Sequence, residues 1–275
     1  MIYCIWYPSG GFGNFVNAIL SLFGKDFERP EITDYEFTLD GSSHNFPSKL
    51  LSYKNNIEFT SDIDISKNTS ILIDNGIDDE NKKFYLTFPN SVKIKLCYSN
   101  ISWPVVSQTY IIKAMKSSLE VVLALDQNKW NTSEDWAIRE KYFLLLRDHP
   151  FRSAWKEDLD CTCIYVEDLR QYKVLKSKLE SAGIVLDDFQ PLWQKWYDAN
   201  DRYFKPIEQA QSIINALQSN NNFSLSHITN IWEQAVIYYL LWLTYQQEIP
   251  HYDYANFFNE VNDIKIWLNS VGILK

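Results

Sequence analysis

Residues 2–14 read IYCIWYPSGGFGN, and this stretch decides the fold. Its first six residues are apolar or aromatic without helical spacing, and Pro8 ends the run, so the pattern predicts a buried strand over residues 2–7. From residue 14 to residue 23 the apolar side chains recur at helical intervals, and Gly24 is a stop signal. The stretch therefore predicts a strand, a glycine turn and a helix in direct succession.

The glycine turn is a candidate site for an anion. Three of the eight glycines of the chain fall within four residues of each other here, and such a turn directs backbone N–H groups toward an anion at the positive end of the helix dipole. A tight turn without a ligand is the alternative, because the lysine that follows the last glycine of a Walker loop is absent. The residues predicted to bind the anion are Ser9, Gly10, Gly11, Phe12, Gly13 and Asn14.

The rest of the chain alternates strand and helix patterns, which predicts an α/β fold. Short apolar runs predict further strands at 70–74, 92–98 and 162–166. Because helical segments separate these strands, we expect one mostly parallel central sheet with helices on both faces. Residues 25–69 are polar and weakly patterned, which indicates loops with short elements.

Helices fill the remaining chain, and the C-terminal third is helical throughout. We expect a single domain, with residues 1–185 as the α/β core and residues 186–275 as a helical cap. Beyond the first helix, helices are predicted at 104–126, at 133–146, from the fourth strand to about Ala182, and near 188–217, 226–247 and 254–270.

Composition limits the classes of partner. The formal net charge of −9 disfavours non-specific binding to nucleic acid, because an acidic surface repels phosphate backbones. The longest apolar run, residues 235–243, is too short to span a bilayer, and no basic leader precedes the first apolar residues. We therefore expect a cytoplasmic protein without a membrane span, and the partner that the glycine turn indicates is a small anion.

Four cysteines, Cys4, Cys97, Cys161 and Cys163, are too few for a disulfide scaffold in a chain of this length. Each lies in a run that is predicted as a buried strand, so reduced core cysteines are expected. The sequence has no Cys-x-x-Cys spacing and no histidine cluster, so no metal site is predicted.

The glycine turn resembles the phosphate-binding loop of P-loop sulfotransferases, whose sequence is Tyr-Pro-Lys-Ser-Gly-Thr-Thr. In that family the loop holds the 5′ end of the sulfate donor 3′-phosphoadenosine 5′-phosphosulfate (PAPS). Tyr7, Pro8 and Gly11 match the family residues. The other four positions differ, and they carry Ser9 in place of the lysine, then Gly10, Phe12 and Gly13.

A second segment resembles the part of that family that holds the 3′-phosphate of the donor. Residues 93–107 read KIKLCYSNISWPVVS and are similar to a strand followed by Arg-Asn-Pro-x-Asp-x-x-x-Ser. Asn100 and Ser107 match, and Ser99 replaces the arginine. The resemblance therefore implies that Ser99 and Ser107 contact the donor.

Two more segments follow the family pattern. Residues 71–75 read ILIDN and lie where the family has a strand ending in Thr-His, so Asp74 or Asn75 takes the place of the catalytic base. Residues 164–169 are similar to a strand ending in Tyr-Glu-Asp-Leu. For Glu167 and Asp168 we predict a structural role, in which they cap the next helix and pair with a cation.

The resemblance covers roughly residues 1–185 and implies a three-layer fold of the P-loop NTPase and sulfotransferase type. It also implies an enzyme that binds PAPS, or its product adenosine 3′,5′-bisphosphate (PAP), and transfers the sulfuryl group to a hydroxyl of an unknown acceptor. Uncharacterised proteins of marine viruses and metagenomes have a similar opening.

Three departures from the family pattern affect this function. Ser9 cannot supply the positive charge of the loop lysine, and Ser99 cannot make the bidentate contact of an arginine. Asp74 can act as a base in place of histidine if desolvation raises its pKa. A non-catalytic binding or interaction protein with the same fold is therefore an alternative function.

Other residues could replace the missing groups. Arg147 and Arg152 are candidate clamps for a phosphate or sulfate, although solvated cations at a helix end are the simpler interpretation. His44 is a further candidate base, although a histidine in a surface loop is the simpler interpretation there. A third function is a sugar-nucleotide glycosyltransferase, because residues 10–14 resemble the Gly-Gly-Leu-Gly-Asn turn of some fucosyltransferases, whose His-x-Arg-x-Gly-Asp motif is missing here.

Overall fold

The computed structural model describes residues 1–8, 10–30, 49–51, 67–74, 90–114, 146, 161–219 and 231–245. The chain divides into two compact units. The first comprises Met1–Ala114 with Phe151–Arg202, and the second comprises Met115–Pro150 with Tyr203–Lys275. Each unit is described by itself.

The first unit contains a five-stranded parallel sheet with the order β2-β3-β1-β4-β5. The four predicted strands all belong to this sheet, with bounds within one residue of the prediction. The fifth strand, β2, is only three residues long and falls in the region that the sequence indicated as loops with short elements. The strands are β1 Ile2–Tyr7, β2 Lys49–Leu51, β3 Thr69–Asp74, β4 Ser91–Cys97 and β5 Thr162–Tyr165.

The middle strand, β1, is buried on both faces, which explains why its sequence is continuously apolar and aromatic. Ile5 and Trp6, which point to opposite faces, are both almost fully buried. Burial extends to β4 as well. The sequence of this strand alternates lysine with apolar residues, yet Lys95 is only 3% exposed. The Lys95 ammonium lies 5.5 Å from the centroid of the Trp6 ring, so a cation–π contact accompanies the burial of this charge.

Among its described residues the first unit has four α-helices: α1 Gly13–Phe23, α2 Trp103–Ala114, α3 Tyr172–Ser181 and α4 Gln190–Asn200. Helix α1 packs against β3 through buried polar groups, because Ser70 Oγ donates to Asn17 Oδ1 at 2.6 Å and lies 3.1 Å from Ser21 Oγ. Helix α3 ends as predicted, with Gly183 just beyond it at a φ of 79°. Such a left-handed residue after a helix favours glycine.

The segment predicted as one helix near 188–217 is two helices. Helix α4 ends at Asn200, and α5, Lys205–Gln218, begins after a short 3-10 turn at Asp201–Tyr203. Pro206 explains the break, because its ring clashes with the carbonyl four residues earlier and its nitrogen has no hydrogen to donate. The apolar periodicity of the two helices is continuous enough to hide this break in the sequence.

The second unit contains α5 and α6, Ile231–Tyr245, which pack against each other. Trp232 and Tyr239 of α6 are almost fully buried. Among the helices of the described residues, none is long and apolar enough to cross a membrane. The helix predicted at 254–270 lies outside the described residues, as does the one at 133–146 except for Leu146, which is helical.

Candidate functional site

The glycine turn lies at the carboxyl end of β1, in the middle of the sheet. The connection that leaves β1 leads to β2 on one side of it, and the connection that leaves β4 leads to β5 on the other side. Open α/β sheets bind ligands in the crevice at such a point, outside the carboxyl ends of the strands. The carboxyl ends of β1 and β4 therefore define the candidate site.

The backbone of the turn alternates in handedness. Gly10 has a φ of 85° and Phe12 a φ of 63°, whereas Gly11 and Gly13 are not in the positive-φ region. A left-handed residue followed by a right-handed one turns neighbouring N–H groups toward one side and forms a concave nest for an anion, as Phe12 and the helical Gly13 do here. Since α1 begins at Gly13, the nest coincides with the positive end of the helix dipole.

Two hydrogen bonds fix one peptide group of the turn. The N–H of Gly11 donates to the carbonyl of Pro8 at 2.7 Å, and Thr109 Oγ1 of α2 donates to the carbonyl of Gly10 at 2.5 Å. The amide of Gly11 and the carbonyl of Gly10 belong to the same peptide, so its orientation is set at both ends. The expectation that all N–H groups of residues 10–14 face a ligand is therefore wrong for Gly11, whose N–H is used inside the turn.

Gly11 and Gly13 are required by close packing. A Cβ at Gly11 would lie 2.6 Å from the Pro8 ring and 2.9 Å from its carbonyl oxygen, and a Cβ at Gly13 would overlap the Tyr7 ring. A side chain at either position would displace the turn itself. Substitution of Gly11 is therefore not a clean test of ligand binding, and Gly10 takes over that role because its φ is positive.

Phe12 anchors the turn through its side chain. The ring is 4% exposed and meets the ring of Trp196, on α4, edge to face at a centroid distance of 5.2 Å. Phe15 stacks on the same indole at 4.6 Å. Burial in this cluster offsets the left-handed backbone of Phe12, which costs about 1–2 kcal/mol for a residue with a Cβ. Phe12 can therefore contact a ligand only through its backbone.

At the end of β4, Ser99 is committed to the start of α2. Its Oγ accepts hydrogen bonds from the N–H groups of Ile101 at 3.1 Å and Ser102 at 3.2 Å. Ser102 Oγ in turn accepts the N–H of Ser99 at 3.0 Å. This reciprocal pair has the geometry of a capping box. The prediction that Ser99 contacts a phosphate is not supported, because its oxygen already receives these donors.

Glu167, two residues after the end of β5, accepts a hydrogen bond from the Ser99 hydroxyl. Ser99 Oγ donates to Glu167 Oε1, whereas the buried Oε2 has no hydrogen-bond partner among the residues that the structure describes. The resemblance placed an arginine for the 3′-phosphate of PAPS at Ser99, and the structure places a carboxylate beside it. The residues at this end of the site therefore do not fit a 3′-phosphate.

Asp168 has the cationic partner that was predicted. Its Oδ2 lies 2.6 Å from the Lys178 ammonium and accepts the N–H of Tyr165 at 2.7 Å. The predicted capping role is wrong for both carboxylates, because α3 begins after Gln171, and within the described part of the chain no side chain caps that helix. Asp168 instead closes the turn between β5 and α3.

Two other predicted site residues are described. Ser107, on α2, is 1% exposed, and its Oγ has no hydrogen-bond partner within the described ranges. Asp74 is the last residue of β3 and pairs in register with Tyr7, so its backbone lies beside the start of the glycine turn. The remaining predicted site residues lie outside the described residues: Ser9, His44, Asn75, Arg147 and Arg152.

The cysteines are free thiols. Burial raises the pKa of Cys4 to about 11, and burial with the neighbouring Cys163 raises the pKa of Cys97 to about 12. Cys161 and Cys163 were predicted to be core residues, but both are only half-buried. The reason is that β5 is the last strand of the described sheet. Across the described stretches, no group of three or more His, Cys, Asp or Glu side chains could hold a metal ion.

Sequence reasoning missed two residues that shape the site. Thr109 lies in an apolar helix, and no local signal distinguishes it. Ser102 had a readable signal, because it stands three residues after Ser99 at the spacing of a capping box.

No protein-family model, curated protein or solved structure matches this chain. Its function is therefore inferred from the geometry of the site.

Proposed function

We propose that this protein binds the phosphate group of a nucleotide at the glycine turn, within a fold of the P-loop NTPase and sulfotransferase type. The observation that carries the proposal is the alternating handedness of Gly10 to Gly13 at the start of α1. It coincides with the carboxyl end of the middle strand, where open α/β sheets bind their ligands.

The proposed contact is a backbone contact. The first N–H groups of a helix have no partner within the helix, and the helix dipole favours a negative charge in front of them. The bond from Thr109 to the Gly10 carbonyl holds the turn in one orientation before a ligand arrives. Because the loop lysine is replaced by Ser9, we expect weak, salt-sensitive binding.

Binding without sulfuryl transfer is the function that the site supports best. PAPS carries phosphate at both ends of its ribose, and within the described residues only the glycine turn offers a site suited to phosphate. Near Ser99 a phosphate would meet the carboxylate of Glu167. We therefore assign no step of sulfuryl transfer to this site.

Transfer to a hydroxyl acceptor is the second candidate, and the position of Asp74 favours it. The backbone of Asp74 lies beside Tyr7, at the edge of the sheet where the glycine turn begins. A carboxylate there could serve as a base for an acceptor hydroxyl. Release of PAP from PAPS in the presence of a panel of hydroxyl acceptors, lost in Asp74→Asn, would establish this candidate over binding alone.

The proposed binding is tested by isothermal titration of AMP at low salt with the wild type and Gly10→Ala. Alanine at a φ of 85° is strained, so the turn must shift and its N–H groups with it. We expect binding in the wild type, tighter than millimolar, and at least about tenfold weaker binding in the variant.

Gly183→Ala is the matched control. Gly183 has a similar φ of 79°, and no described atom lies within 4 Å of a Cβ there. Both variants therefore carry comparable backbone strain, but only Gly10 lies in the proposed site. Equal affinities in all three proteins, or no binding of AMP to the wild type, would contradict the proposal.

A further inference from the structure

The carboxylate of Glu167 is satisfied at one oxygen only. Ser99 Oγ donates to Oε1, whereas Oε2 is buried and has no hydrogen-bond partner in the described part of the chain. A buried acceptor without a donor is costly, and a charged one more so. The protein therefore keeps an acceptor here that a ligand with a hydroxyl or amino donor would satisfy.

This acceptor lies at the same edge of the sheet as the glycine turn. Glu167 follows β5 and Ser99 follows β4, and both strands run parallel to β1. Two strand spacings, about 10 Å, separate β1 from β5. A ligand of nucleoside size can contact both ends of that span, with its phosphate on the turn and its sugar toward Glu167.

Charge decides which sugar fits. A carboxylate accepts hydrogen bonds from ribose hydroxyls in dinucleotide-binding sheets, and it repels a phosphate because both groups are negative. Ser99 cannot relieve that repulsion, since its proton is donated to Glu167 and its oxygen receives two backbone N–H groups. A 3′-phosphate would meet a negative charge with no compensating donor from Ser99.

We propose that Glu167, held by Ser99, selects a nucleotide whose ribose hydroxyls are free and rejects one with a 3′-phosphate. The inference rests on the proposed binding of a phosphate at the glycine turn. The ligand class comprises nucleoside monophosphates and diphosphates and the sugar nucleotides derived from them, and it excludes PAPS and PAP.

AMP and PAP form a matched pair of probes, because they differ only in the 3′-phosphate. Titration of both into the wild type at low salt should show AMP bound at least about tenfold more tightly than PAP. In Glu167→Gln the charge is lost while the size of the side chain is kept. The preference should then fall to within about threefold, mainly through tighter binding of PAP.

Glu180→Gln controls for the loss of one negative charge, since Glu180 is exposed on α3, and it should keep the preference of the wild type. Equal or tighter binding of PAP by the wild type would overturn this inference and leave the proposed function intact. An unchanged preference in Glu167→Gln would also overturn it and would assign Glu167 a purely structural role. Binding of neither probe to the wild type would overturn the proposed function and the inference together.

Discussion

The two ends of the candidate site differ in how well they suit a phosphate group. At the end of β1, the backbone alternates in handedness before α1, a geometry that favours an anion. At the ends of β4 and β5, Ser99 holds the turn that precedes α2 and donates a hydrogen bond to a carboxylate, an arrangement that disfavours an anion. Backbone geometry is set by the fold, whereas side-chain chemistry changes with single substitutions, so one crevice can suit an anion at one end and disfavour it at the other.

The largest loss of unfolding free energy is expected from disrupting the aromatic cluster of Phe12, Phe15 and Trp196 that holds the turn. Trp196 is fully buried between Phe12 and Phe15, so Trp196→Ala should lower the free energy of unfolding by about 3–5 kcal/mol in urea titrations. Trp193→Ala is the comparison, because Trp193 is only half-buried on the same helix, and it should cost clearly less. A loss below about 1 kcal/mol for Trp196→Ala would show that the cluster does not stabilise the turn.

A smaller effect is expected at the bond between α2 and the turn. Thr109→Val keeps the shape of the side chain but removes the donor to the Gly10 carbonyl. The variant should lose about 1–2 kcal/mol of unfolding free energy and bind AMP several-fold more weakly, because a partly buried carbonyl is left unpaired and the turn is less fixed.

Thr109→Ser retains the hydroxyl and should keep the AMP affinity of the wild type. The free energy of unfolding is measured by urea unfolding followed by tryptophan fluorescence, and the affinity for AMP is measured by isothermal titration. If valine leaves the binding of AMP unchanged while serine weakens it, the methyl group of Thr109 and not its hydrogen bond supports the turn.

The smallest change in binding is expected from salt. It tests the two ends of the site separately, through the affinity for AMP and through the preference for AMP over PAP. Raising the ionic strength from 50 to 200 mM should weaken the binding of AMP by about threefold, because screening reduces the attraction at the helix start. The same change should narrow the preference for AMP over PAP, because screening also reduces the repulsion by Glu167. A preference that does not change with salt would exclude charge as its cause.

The strands were predictable because their signal is local. Apolar runs such as Ile2–Tyr7 are buried on both faces, and this burial leaves a continuous pattern in the sequence. Strand β2 has only three residues and no such pattern. Lys95 was placed correctly in β4, but its burial could not be read from the alternation, because it depends on the Trp6 ring of a strand far away in the sequence.

The site was predictable where it depends on neighbouring residues and not where it depends on tertiary contacts. The glycine turn and its position before a helix follow from adjacent residues. The bond from Thr109 to Gly10 joins residues 99 positions apart, and the contact of Phe12 with Trp196 joins the turn to α4. The pairing of Ser99 with Glu167 likewise requires that β4 and β5 be neighbours. A single sequence contains no local trace of these contacts.

The most direct test of the account is a crystal structure of the protein with AMP. The account predicts that the phosphate lies within hydrogen-bonding distance of backbone N–H groups at the start of α1, with Gly13 and Asn14 as the nearest residues. It also predicts that a ribose hydroxyl points toward Glu167 Oε2. A phosphate bound away from the glycine turn, or a ribose that does not approach Glu167, would contradict the corresponding half of the account.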